Sequence, residues 1–244
     1  MIKSAIKKYF LVILCFITVS IHAEKVGLCV VATGKYTCFI PSLLQSARKF
    51  FCTNHEVTYF IFTDGVIEDD GRDVVVLPHD RFGWPYDTMF RYYAYWDHRS
   101  YLQDMDYIFA CDADMLFVDL VGDEIFGSLV GTLHPGYIDK RGTYEIRRKS
   151  TACVLQSEGE YYFAGGFYGG VSDCFFKMIY NLIGMMESDL EQGIVAVWHD
   201  ESYLNRYFVD HKPSLILPRA YCARSFDYPQ RLVALVKDHN SMRA

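Results

Sequence analysis

Apolar residues in this chain come in short runs, each cut off by a polar or glycine-containing turn. Lys25 to Ala32 reads as a buried strand that leaves through the turn Thr33-Gly34-Lys35-Tyr36, and Ile40 to Phe51 repeats apolar positions at helical spacing. Val57 to Phe62 predicts a second strand ending at Thr63-Asp64-Gly65, and Val74 to Leu77 a short third. Strand, helix and strand in alternation imply a parallel α/β sheet. A helix-like stretch from Met89 to Leu102 then leads into Tyr107 to Cys111, an apolar run of buried-strand length. Gly131 to Leu133 is a further strand, broken at His134-Pro135-Gly136-Tyr137. In Tyr161 to Gly170, Gly165, Gly166, Gly169 and Gly170 flank aromatics, which in a strand marks a bulge or the close approach of another group. Ser172 to Met186 predicts a helix and Leu215 to Leu217 a late strand. Lys140 to Ser157 is polar and reads as a surface excursion. The tail from Val236, with Lys237, His239 and Arg243, reads as solvated and frayed. With no linker composition anywhere, residues 24–244 form one expected domain.

Residues 1–23 follow a different pattern. Lys3, Lys7 and Lys8 precede an apolar run from Tyr9 to Ile21, ahead of His22-Ala23-Glu24. As a helix the run would span roughly 20 Å against about 30 Å of hydrocarbon. A basic start, a short apolar centre and Ala23 fit a signal peptide; Ile21 is a poor fit to a cleavage site and keeps an uncleaved signal anchor open. Either one makes the protein exported or membrane-anchored.

Composition sharpens this reading. Hydrophobic residues make up 51% of the 244, enough for a substantial core, and the net charge of −6 argues against a nucleic-acid partner. Of eight cysteines, Cys15 lies in the apolar run, and the other seven form no Cys-x-x-Cys pair, which argues against zinc. No dinucleotide fingerprint or P-loop is present.

Candidate chemistry sits at the end of the Tyr107 strand, in Asp112-Ala113-Asp114. Residues two apart in extended chain project to one side, so both carboxylates can close on one hard cation, magnesium or manganese, together with substrate phosphate oxygens. The same residues also suit a polar strand end that merely caps the next turn. Trp84, in the turn-rich segment from His79 to Asp87, either packs its loop down or meets a ligand. Trp198-His199-Asp200-Glu201-Ser202 concentrates acids with an aromatic; its acids also suit the first turn of a helix.

Taken together, these blocks resemble glycosyltransferase family 6, the family of the histo-blood-group A and B transferases and the α-1,3-galactosyltransferases. The likeness runs from about Val26 to Arg243. It is carried by Ala32 to Tyr36, Phe62-Thr63-Asp64, Trp84 to Arg91, Asp112 to Met115, Thr132 to Pro135, Tyr161 to Gly170, Ala196 to Ser202 with Leu204-Asn205, and His211-Lys212-Pro213. The resemblance implies a GT-A fold, a Rossmann-like mixed sheet flanked by helices. It also implies a retaining α-1,3-transfer of N-acetylgalactosamine or galactose from UDP to the 3-hydroxyl of a terminal β-galactoside. By position, Val31, Thr33 and Tyr36 match the uridine pocket, and Arg91 an arginine near the donor sugar and diphosphate. Asp112 and Asp114, with Ala113 between them, match the metal pair. Ala164 and Gly166, flanking Gly165, match the positions that help choose the donor sugar. His134 and Trp198 match acceptor contacts, Asp200 a donor-sugar contact, and Glu201 the carboxylate beside the anomeric carbon. Trp84 belongs to a mobile loop over the donor, and Lys237 and Arg243 to diphosphate contacts in the tail. Many bacterial members carry Asn-x-Asn and work without metal. The Asp-x-Asp kept here implies dependence on manganese or magnesium, in a short chain whose catalytic part follows the apolar run directly. Two other classes remain open on the residues alone: a glycoside hydrolase using Glu201 and an aspartate, and a non-catalytic glycan-binding module.

Overall fold

A computed structural model describes residues 23–68, 71–224 and 229–243. The expected signal peptide or anchor lies outside the described residues, apart from Ala23 at its end. The N-terminal half supplies β1 (Lys25–Val31), a 3-10 turn (Gly34–Phe39), α1 (Ile40–Phe50), β2 (Glu56–Thr63), β3 (Val74–Pro78), α2 (Tyr86–Met89), α3 (Arg91–Asp97), α4 (Arg99–Leu102) and β4 (Tyr107–Asp112). The remainder supplies β5 (Met115–Phe117), β6 (Val130–Leu133), β7 (Phe163–Val171), α5 (Ser172–Glu191), α6 (His199–Asp210), β8 (Leu215–Leu217), β9 (Leu232–Ala234) and α7 (His239–Arg243).

Seven strands form one sheet in the order β3-β2-β1-β4-β7-β6-β8. The four strands of the first half are parallel, as the alternation implies, but β7 runs antiparallel to both β4 and β6, so the sheet is mixed. Glycines permit this junction. A Cβ on Gly169 would lie 2.2 Å from the Ile108 carbonyl of β4, and Gly170 has φ +144, outside the range side chains tolerate. Side chains alternate across the sheet. Val26, Leu28 and Val30 pack with Leu43, Leu44 and Ala47 of α1 on one face. On the other face Phe60, Phe62 and Tyr168 pack with Tyr92 and Tyr95 of α3 and with Phe175, Met178 and Leu182 of α5.

Three expectations change. The helix expected over Met89 to Leu102 is three short segments, because Phe90 (φ −81, ψ 4) and His98 (φ −100, ψ 14) leave helical geometry at the two joints. The segment Lys140 to Ser157 is not simply surface: Tyr144, Glu145, Ser150, Ala152 and Val154 are buried. The tail from Val236 is not simply frayed: Lys237 places its ammonium on Asp114, His239–Arg243 form α7, and Lys35 Nζ donates to the Ser241 carbonyl at 2.9 Å. Among the described residues no helix is long and apolar enough to cross a membrane.

The mixed topology positions the site. Val31 and Asp112 are in register at the carboxyl edge of the parallel strands, where open α/β sheets place ligands. Because β7 is reversed, its first residues, Ala164 to Gly166, come to that same edge just before the Cys111–Phe167 pair.

Candidate active site

At this edge a cleft of about 690 Å³ opens between β4, β7, α6 and the tail. Asp112 enters it from the end of β4 and Asp114 from the turn that follows. Arg91, at the start of α3, is largely buried and bridges three elements: its Nη1 donates to Asp112 Oδ1 at 2.8 Å and to the Gly165 carbonyl at 3.3 Å, while its Nε is 3.3 Å from Asp200 Oδ2. Burial opposes its charge, but Asp200 and Asp112 outweigh that and hold the guanidinium protonated.

The acidic wall comes from the first turn of α6. His199 opens this helix with φ +49, a left-handed backbone that costs a non-glycine residue about 1–3 kcal/mol. After that turn Asp200 and Glu201 both line the cleft. Desolvation pushes Asp200 up to about 6, against the pull of Arg91. It pushes the partly buried Glu201 up to about 7, opposed by the Gly165 N–H, which donates to Glu201 Oε2 at 2.8 Å. The buried Tyr162 hydroxyl interacts with the same carboxylate but has no aligned hydrogen-bond partner. Asn205 ties α6 to β7 by exchanging two hydrogen bonds with the Phe163 backbone, each at 2.8 Å.

Of the residues singled out in the sequence, Arg91, Asp112, Asp114, His134, Ala164, Gly165, Gly166, Trp198, Asp200, Glu201 and Lys237 share the cleft. Val31, Thr33, Tyr36, Trp84 and Ala113 do not line it. Val31 and Thr33 flank the sheet edge, and the Tyr36 ring lies 4.7 Å from the Lys237 ammonium. Ala113 points into the core at 3% exposure. Trp84 stays half-exposed, its ring edge-on to His199 at 5.0 Å, which joins the loop to the start of α6. Arg243 closes α7; the expectation for its side chain lies outside the described residues. Thr88, Tyr137, Cys222, Arg224 and His239 also line the cleft and were not anticipated. Periodicity does not reveal them, since they come from short turns and helix ends that only the folded chain brings together.

The two aspartates suit a hard cation. Burial, and then Asp112, push Asp114 above the usual carboxylate range, while Lys237 opposes this by placing its ammonium directly on Asp114 Oδ2. An ammonium already fills the place of a cation there. Among the described residues no set of three His, Cys, Asp or Glu side chains gathers around a possible ion, so a metal here would complete its shell with substrate oxygens.

The family profile described as "Glycosyltransferase family 6" matches residues 16–243. The chain belongs to glycosyltransferase family 6. It is 36% identical over 237 residues to the histo-blood group ABO system transferase 1 of Rattus norvegicus, covering 89% of this chain and 68% of that protein. It is also 36% identical over 210 residues to the globoside alpha-1,3-N-acetylgalactosaminyltransferase 1 of Homo sapiens, covering 80% of this chain and 60% of that one. With the O-antigen biosynthesis glycosyltransferase WbnI of Escherichia coli it shares 30% identity over 194 residues, 76% of this chain and 82% of the relative. Family 6 membership supports glycosyltransferase activity. The single domain, with its mixed sheet flanked by helices, is consistent with the GT-A fold.

Proposed function

We propose that this family 6 chain moves N-acetylgalactosamine, with galactose as a slower alternative, from UDP to the 3-hydroxyl of a terminal β-galactoside, with retention at the anomeric carbon. The observation that carries this reading is the convergence of a basic group and a carboxylate across one cleft. Arg91 stands between Asp112 and Asp200, and Glu201 lies beside Asp200 on the first turn of α6, held by the Gly165 N–H. Such a site suits a reaction in which negative charge grows on a leaving diphosphate while positive charge grows on a sugar. The bond from the anomeric carbon to the UDP oxygen breaks, a bond to the acceptor oxygen forms, and the acceptor proton passes to the departing diphosphate. Arg91 and Lys237 neutralise the diphosphate. Glu201 faces the oxocarbenium-like carbon, as an electrostatic partner or as a nucleophile. His134 and Trp198, on the cleft wall, orient the acceptor, and closure around the donor keeps water from diverting the sugar. Asp112 and Asp114 would hold a manganese or magnesium ion, which supplies Lewis-acid charge to the diphosphate. Val31, Thr33 and Tyr36 are assigned to the uridine. The relatives' printed names, which include an alpha-1,3-N-acetylgalactosaminyltransferase, support the donor and linkage. Residues 1–23 are assigned to export or membrane anchoring.

The test is UDP release from a panel of UDP-sugars with and without a β-galactoside acceptor. Chelation should abolish transfer and manganese should restore it, and Asp112→Asn or Asp114→Asn should weaken donor use by on the order of 10²-fold. Full transfer in excess chelator, with bound metal shown to be gone, sinks the metal assignment; absence of UDP release from every donor sinks the activity.

A further inference from the structure

The space beside Gly166 is not simply left empty by the missing side chain. A Cβ at this position would lie 3.0 Å from Cys222 Sγ and 3.5 Å from Asp112 Oδ2. The first distance is closer than ordinary van der Waals contact. Cys222 ends the 3-10 helix Arg219–Cys222, is buried, and lines the same cleft as Ala164, Gly166 and Asp112. Its sulfur thus packs against Gly166 and takes the place a side chain there would occupy, so the two residues together form one wall of the cleft. Burial pushes the thiol well above its ordinary range, so it acts as a neutral apolar group at physiological pH.

We propose that Cys222 is a specificity-determining residue of the donor-sugar pocket. The room for a substituent on the sugar is set jointly by Gly166 and Cys222, and neither residue fixes it alone. This rests on the transferase reading above and refines it. An N-acetyl group is larger than a hydroxyl, so a pocket wall that gains a branched carbon rejects the amide sugar more than the plain hexose. Removing the sulfur opens room beside Gly166, and an oversized pocket discriminates weakly against the smaller ligand. A methyl added at position 166 meets the sulfur first. Its effect on donor choice therefore depends on what stands at 222.

The experiment measures kcat/KM for UDP-N-acetylgalactosamine and UDP-galactose with a β-galactoside acceptor, beside a melting curve for each variant. In Cys222→Val the ratio of the amide donor to galactose should fall by about tenfold or more, the scale of one carbon in a tight pocket. Cys222→Ser, nearly the same size, should keep the ratio within about threefold. Gly166→Ala should impair both donors when Cys222 is present. In the Cys222→Ala background it should impair them less and move the ratio toward galactose. This last pair decides the matter even if Cys222→Val fails to fold. A Gly166→Ala effect that is the same in both backgrounds, or a folded Cys222→Val enzyme with an unchanged ratio, overturns the proposal. A shift in Cys222→Ser as large as in Cys222→Val also overturns it, by making polarity rather than size the cause. If the unmodified protein turns over neither donor, the transferase reading itself falls and this inference goes with it.

Discussion

Glu201 is held where a free carboxylate would not choose to be. Desolvation raises it from its usual 4.5 to about 7, a shift worth about 3 kcal/mol between its two protonation states. Two outcomes follow, with opposite consequences for stability and function. Because the folded value lies above the unfolded one, the stability this group contributes is fully present below about 4.5. It is lost as pH rises through about 7. Glu201→Gln does not titrate, so its unfolding free energy should exceed that of the parent by about 1–3 kcal/mol at pH 8 and match it near pH 4 in denaturant titrations. Function needs the ionised form, so donor kcat/KM should rise with pH through an apparent value near 7, while turnover of Glu201→Gln is severely reduced and loses that limb. Equal stability of the two proteins at pH 8 would show that Glu201 carries no such cost. At this scale the sequence was informative wherever chemistry is written in residue type at a strand end, as in Asp112 and Asp114. It was silent on Thr88, Cys222 and Arg224, whose presence in the cleft depends on turns that no local pattern announces.

Two further elements shape the site, one behind its wall and one along its rim. Glu145, inside the supposed surface excursion, is buried; its Oε2 accepts from the Val197 N–H at 3.0 Å and from Arg147, whose Nη2 also donates to the Val195 carbonyl at 2.6 Å. This clamp fixes the stretch that ends in Trp198. Glu145→Ala removes the acceptor of the Val197 N–H and of Arg147, and should raise the acceptor KM by about tenfold, in keeping with about 1.5–3 kcal/mol for hydrogen bonds to a charged group. UDP-sugar hydrolysis without acceptor should stay unchanged, and comparing the two assays checks the claim. The tail is the second support. Truncation after Val236 removes the ammonium from Asp114 and the α7 contacts, including the bond from Lys35 Nζ to the Ser241 carbonyl, but leaves β9 paired with β5. The shortened protein should melt within a few degrees of the parent, yet lose donor kcat/KM by on the order of 10²-fold. Normal kinetics would rule the tail out of catalysis. Strands with continuous apolar runs were legible because each is a local pattern. The split of the Met89 to Leu102 region was not, because its backbone breaks at Phe90 and His98 fall between residues that share one apolar face.

For the molecule as a whole, donor binding should read out as stability, since the cleft joins both halves of the sheet. UDP with manganese at about 100 times its dissociation constant contributes about 2.7 kcal/mol, or a Tm rise of about 5–10 °C for a domain of this size. The rise should vanish in Asp112→Asn, as measured by calorimetry. Parallel order in the first half could be read from alternation, whereas the reversal of β7 could not, because its close packing on β4 uses a glycine where any Cβ would lie 2.2 Å from the Ile108 carbonyl. The pairing of β9 with β5, and of Lys237 with Asp114, has a consequence for how the protein is made. A ribosome delivers Arg91, Asp112, Gly166 and Glu201 in that order, and these can dock as the domain folds. Residues 232–237 emerge after all of them, and only then does Asp114 gain its ammonium neighbour and the small sheet its second strand. Until they arrive, the earlier cleft residues can gather while Asp114 stands without its ammonium and β5 without its partner.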